Sequence, residues 1–207
     1  MAEATARLLA WIEDSYPQAK TAMRSPAPQE AISAISRETH CDLPLSLETL
    51  WLAYDGEDAK KGAKLFNGYA LMSTGEALEK VTSMCEVRET STTDRWLPQW
   101  LPFAQDKGGD LLVVDLRKGE VFEWKGKHRA RRWGETFDSF LGDYLARFDT
   151  GELLVDPEQG IVTGDPSAAP EPSSVRPVST KKKLRGLAIF VTWLVVFAGA
   201  VAWYLRR

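Results

Sequence analysis

Three aspartates, Asp106, Asp110 and Asp115, fall within ten residues of one another and are the acids of this sequence best placed for chemistry. Neighbouring carboxylates can divide general acid and general base work when their surroundings push their pKa values apart. Asp106 and Asp110 flank Gly108-Gly109, however, and an aspartate beside such a turn commonly accepts hydrogen bonds from the turn's own backbone N–H groups. The turn role is the one expected here. His40 and His128 have no carboxylate or nucleophile partner in their local sequence. Cys41 and Cys85 are two isolated thiols beside apolar runs, expected to be buried and reduced. Together these two histidines and two cysteines lack CxxC or HxxxH spacing, which argues against zinc. No GxSxG, HExxH, Walker or glycine-rich dinucleotide motif occurs. The expectation is a chain without catalytic residues, cofactor or metal.

Residues suited to binding are easier to find. Trp96, Trp124 and Trp133 stand among charged neighbours, which predicts partial exposure, and exposed tryptophan is over-represented at interface hot spots. Asp55, Glu57 and Asp58 form an acidic run that predicts a surface patch facing a basic protein partner. Reversing any of their charges is expected to leave thermal stability nearly unchanged and to slow association. Lys125, Lys127, Arg129, Arg131 and Arg132 make a basic cluster, read as a solvated strand or loop.

The elements that must carry these residues follow from periodicity. Leu8, Leu9, Ile12 and Tyr16 recur at helical spacing, and Ala31, Ile32 and Ile35 continue after Pro26 and Pro28. Pro44 suits a first helical turn; Leu47, Leu50, Trp51 and Tyr54 share a face, and Gly56 is the expected stop. A polar loop over 56–68 leads to a strand at Tyr69–Met72 and a helix from Ser73 or Thr74. Strands are then predicted at 100–104, 110–115 and 119–125, joined by turns at Gly108-Gly109 and Lys118-Gly119, with a further strand at 128–133. Leu111–Val114 is apolar on both faces, which predicts a central strand. Phe137, Phe140, Leu141, Tyr144, Leu145 and Phe148 mark a closing amphipathic helix that Gly151 ends. Helices first, a mainly antiparallel meander next and one helix last give an α+β domain flanked by helices.

Composition divides the 207 residues unevenly. The formal net charge is -3, yet 181–207 contains only basic charges, six of them, and 152–180 holds five acids against Arg176, which leaves 1–151 about five charges acidic. A mildly acidic domain lacks the basic face that phosphate neutralisation needs, so nucleic acid is not an expected partner. From Leu187 to Leu205 no charge occurs, and nineteen residues at ~1.5 Å each span about 28 Å, close to the ~30 Å hydrocarbon core of a bilayer. Trp193 lies within the run; Trp203 and Tyr204 sit at its end beside Arg206-Arg207, as interfacial aromatics do. Ala198, Gly199 and Ala202 offer a small-residue face for weak homo-association of the helix. Four basic residues precede the span and two follow it, which predicts a cytoplasmic domain on a tail-anchored, single-pass protein of a bacterial inner membrane. The expected organisation is a domain over 1–163, a Pro/Ser-rich and basic linker over 164–183, and the anchor over 184–207.

The order of signals resembles the SUKH superfamily, in the branch of the yeast cell-wall synthesis regulator and its bacterial relatives. The matching pieces are Leu43-Pro44, Tyr54-Asp55-Gly56, Met72-Ser73, Trp100-Leu101-Pro102-Phe103-Ala104, and Asp106-Lys107-Gly108-Gly109-Asp110. Leu112, Val114 and Asp115, then Gly119-Glu120-Val121, then Phe137, Phe140 and Leu141 complete the set, over about 30–150. Ser36 stands where such proteins often carry a glutamate before Leu-Pro. The resemblance implies a non-enzymatic protein-binding module. Bacterial members are similar to immunity proteins that neutralise toxins by direct binding, which makes a toxin the expected partner. Fungal members imply the alternative, a membrane-anchored scaffold or regulator of a cell-envelope or secretion enzyme.

Overall fold

Leu111–Asp115 is a strand with no polar face, and it lies at the centre of a five-stranded antiparallel sheet. The computed structural model of the chain describes residues 3–58, 60–90, 96–156 and 160–164. In these, α1 (Glu3–Ser15), α2 (Pro17–Ala22), α3 (Gln29–Thr39) and α4 (Leu45–Ala53) precede β1 (Ala70–Leu71) and α5 (Thr74–Thr90). The meander β2 (Trp100–Gln105), β3 (Leu111–Asp115), β4 (Val121–Lys125) and β5 (His128–Gly134) follows, then α6 (Phe137–Asp149). A separate hairpin, β6 (Leu153–Asp156) with β7 (Gly160–Thr163), comes last. Strand order is sequence order, β1 to β5, with β3 in the middle as its apolar run predicts.

Alternation along the strands divides the apolar residues between two clusters. Leu112 and Val114 of β3 point into the larger cluster, which α1, α3, α4 and α6 help to fill. Leu111 and Val113 point the other way, into a smaller cluster with Met72, Phe122 and three tryptophans. Both faces of β3 are therefore dry, which is why its five residues contain one charge, and that charge, Asp115, sits at the strand's end. On the larger side α6 lays Phe137, Phe140, Leu141, Tyr144 and Leu145 against the sheet. Its start is held by a capping box in which Thr136 accepts from the Ser139 amide at 3.0 Å and the Ser139 hydroxyl accepts from the Thr136 amide at 2.9 Å.

Several local expectations change. α4 ends at Ala53, with Tyr54 as its C-cap, so Gly56 does not stop it. Gly56 instead takes φ +80° where the chain passes hard against Met72 and Ser73. The strand expected at 69–72 shortens to two residues, and α2 and the β6–β7 hairpin have no counterpart in the periodicity. Cys41 and Cys85 are reduced but only half-buried. Among the described residues no helix is long and apolar enough to cross a membrane; the expected anchor at 187–205 and its linker lie outside them.

Candidate partner-binding site

The acidic run does not form a patch, because its three side chains serve three different structural needs. Asp55 reaches across to the start of α5, where its Oδ1 accepts from the Thr74 amide at 2.7 Å and from the Thr74 hydroxyl at 3.0 Å. The Thr74 amide is one of the orphan donors of a helix N-terminus, and a carboxylate there also meets the favourable end of the helix dipole. Asp58 is half-buried and closes a tight turn by accepting from the Lys60 amide.

Glu57 corrects the surface reading outright. Only 3% of it is exposed, and its carboxylate accepts three backbone N–H groups: Lys64 at 2.7 Å, Leu65 at 2.9 Å and Leu71 at 2.8 Å. The polar 56–68 loop folds back around this one side chain. Tyr16, between α1 and α2, donates to the Ala63 carbonyl and Tyr144 of α6 donates to the Leu65 carbonyl at 2.6 Å, so two phenols finish the anchorage. Burial pushes the Glu57 carboxyl above its ordinary range, against the downward pull of the three amides. The same burial, with the nearby Glu57 charge adding to it, lifts Tyr16 to about 12.

The tryptophans are likewise mostly inside. Trp96 and Trp124 are 2% and 3% exposed, which overturns the exposure expected of them. They meet edge-to-face at 5.3 Å between ring centroids, and each packs on Trp100, at 5.8 and 5.6 Å. Trp100 donates its indole N–H to Asp115 Oδ2 at 3.0 Å; the indole N–H groups of Trp96 and Trp124 are buried and without an acceptor among the described residues. At Trp124 the charged neighbours Glu123 and Lys125 misled because successive side chains of a strand point to opposite faces, while the indole faces the cluster. Of the three tryptophans expected at the surface, Trp133 is half-buried, edge-on to Phe140 at 6.3 Å.

The three aspartates behave as turn residues. Asp106 Oδ1 accepts from Gly108 and Asp110 amides, each at 2.8 Å; Asp110 Oδ1 accepts from Gly126. Asp115 Oδ1 accepts from Arg117 and Lys118 in the next turn. His40 occupies the left-handed C-cap of α3 at φ +51°, far along the chain from His128, the exposed first residue of β5. Among the described residues no three His, Cys, Asp or Glu side chains are grouped to hold a metal ion.

What remains at the surface is the basic cluster, now an edge strand. β5 pairs only with β4 in the sheet, and its register slips twice along that pairing. Glu120 takes Arg129 at 2.5 Å and Arg132 at 3.1 Å, and Arg132 also meets Glu135 at 3.1 Å. The Arg129 hydrogen bond holds the Glu120 carboxyl below its ordinary range, with the charge of Arg132 adding to it. Arg129 also covers the Phe122 ring at 4.3 Å, and Arg131 lies over Trp133 at 4.7 Å. The sequence signal for this strip was the run HRARRW; what it lacked was the information that 128–134 is an edge.

With the sheet and its flanking helices in place, comparison with protein families decides the kinship. Residues 26–147 match the SMI1 / KNR4 family (SUKH-1). The chain belongs to that family. The SUKH-1 match opens just before α3 and closes in the last turn of α6, so it takes in the whole five-stranded sheet. It leaves out α1, α2 and the β6–β7 hairpin, although Leu8 and Ile12 of α1 and Leu153 of β6 belong to the same apolar cluster as the SUKH-1 sheet. No curated protein matches the chain.

Proposed function

We propose that this SUKH-1 chain is a non-catalytic binding module that neutralises a cognate bacterial toxin by occupying it. One observation carries the reading beyond family membership. The carboxylates best spaced for chemistry, Asp106, Asp110 and Asp115, all accept backbone N–H groups, so each is committed to holding a turn. Of the six residues read from sequence as partner-facing, Asp55, Asp58 and Trp133 are half-buried and Glu57, Trp96 and Trp124 are buried; Asp55 is further committed to capping α5, which leaves Asp58 and Trp133 for such a partner. Neutralisation by occupancy has a stoichiometric signature. Titrating the activity of a toxin encoded beside this gene with the purified chain should give a linear fall that ends near one molar equivalent. Complete loss at a small fraction of an equivalent would mean turnover and would overturn the reading.

The apolar segment 187–205 supports a further part of the proposal, that the module is tethered to a membrane with its domain in the cytoplasm. Protease added to intact spheroplasts should leave the domain uncut, and should digest it once the membrane is opened. Cleavage in intact spheroplasts would reverse the orientation.

A further inference from the structure

We propose that the outer edge of β5 is a docking strip for an acidic, extended segment of a protein partner, with Arg131 and Lys127 as its anchors. The proposal rests on the binding-module reading and names the surface that module would use. β5 ends the sheet, and no backbone hydrogen bond among the described residues ties it to anything but β4. A sheet edge offers a row of N–H and C=O groups that an extended chain can join, with side-chain contacts supplying selectivity.

The charges on this edge are not equivalent. Arg129 and Arg132 are bound to Glu120, and Lys125 pairs with Glu123 at 3.1 Å. Arg131 and Lys127 make no ion pair among the described residues, and both are exposed. Arg131 falls in the first register slip of β5, between the pairings Trp124–Arg129 and Phe122–Arg132. A bulge re-aims the side chain it carries. The guanidinium lies over the half-buried Trp133 ring, which restrains it while leaving its N–H fork open. A restrained guanidinium suits bidentate capture of a carboxylate, and arginine is enriched among interface hot spots. Lys127 stands in the β4–β5 turn just before the strand, and at most about 13 Å of extended chain separates it from Arg131, a span that carboxylates four residues apart on an extended segment can match.

A second copy of the chain is a poor occupant. Its β5 would bring the same cations to face these, and like charges opposed across a strand pair destabilise it. A lipid headgroup could meet the guanidinium but leaves the strand's backbone groups without a partner.

The test uses the full chain in nanodiscs of zwitterionic lipid and, as probe, a labelled synthetic peptide alternating Glu with Val and Thr. Anisotropy should report salt-sensitive binding that a Gln-for-Glu version of the peptide lacks. Arg131→Glu and Lys127→Glu should each weaken it about tenfold or more, while Lys60→Glu, in the 56–68 loop, should not. Amide exchange over 127–134 should slow when the peptide is bound. Equal affinity for wild type, Arg131→Glu and Lys60→Glu overturns the proposal, as does binding of anionic vesicles through Arg131 without any binding of the peptide. Neutralisation by Arg131→Glu at the same molar ratio as wild type would sink this surface and leave the function standing. Failure of wild type itself to neutralise would strike the function, with the peptide measurement still deciding the strip.

Discussion

Glu57→Lys is expected to cost roughly 4 kcal/mol or more of folding stability, which lowers the melting temperature by about 10 °C or more. The carboxylate is 3% exposed and is the common acceptor for the Lys64, Leu65 and Leu71 amides. The substitution puts a donor where three donors already point, and buries a cation with no acceptor. A domain of ordinary stability, 5–15 kcal/mol, would be brought close to its limit. Asp58→Lys, at the next residue in a half-buried turn, should shift stability by about 0.5 kcal/mol or less. Thermal unfolding of the two full-length variants, followed by tryptophan fluorescence, separates them. Equal melting temperatures would show that the 56–68 loop does not depend on Glu57.

The same side chain carries a pH signature. Its folded carboxyl is raised above the ordinary value by burial, so between the two values the folded chain holds more protons than the unfolded one. Stability from this group is therefore fully present below the ordinary carboxyl range and declines as pH rises through the raised value. Glu57→Gln removes the titration, so the stability gap between wild type and Glu57→Gln should narrow from about pH 4 to about pH 7. Denaturant midpoints at both ends measure the gap, and a gap that widens would contradict the upward shift.

Gly56→Ala is expected to be the second severe change, at roughly 3–5 kcal/mol. Its φ of +80° penalises any side chain, and a Cβ there would sit 2.8 Å from the Met72 carbonyl carbon and 2.8 Å from Ser73 Cα, closer still to the Ser73 amide. All three are backbone atoms, so no rotamer relieves the overlap. Gly62 separates the two effects: its φ is +71°, yet nothing lies within 4 Å of the added methyl. Gly62→Ala should cost about 1 kcal/mol, the conformational term alone. If both glycine variants unfold at the same denaturant concentration, the close approach of Gly56 to Ser73 is not a constraint.

The resemblance to SUKH proteins was carried by short pieces whose spacing survives in the fold. Trp100–Ala104 is the start of β2, Asp106–Asp110 is the turn that reverses into β3, and Phe137, Phe140 and Leu141 are the core face of α6. Each piece is legible because its cause is local. An aspartate bonds amides two to four residues on, and an apolar stripe at helical spacing needs only one buried side.

Periodicity by itself determined that the chain is α+β, that 111–115 is central and that the last helix covers the sheet, because burial on one face or both writes a repeat into the residues. It also determined the apolar run at 187–205, whose length against a bilayer needs no tertiary contact. Only the tertiary structure decided where the charges and indoles went. Glu57 is an acid between acids in sequence, and its burial depends on Lys64, Leu65 and Leu71 arriving from a loop and a strand up to fourteen residues away. Trp96 and Trp124 are hidden because two segments meet on one face of the sheet, Arg129 and Arg132 meet Glu120 across a hairpin, and Arg131, at a register slip, has no ion pair among the described residues. Solvation of a single side chain is set by whatever packs against it, and for these residues that neighbour lies outside any window in which sequence periodicity can be read.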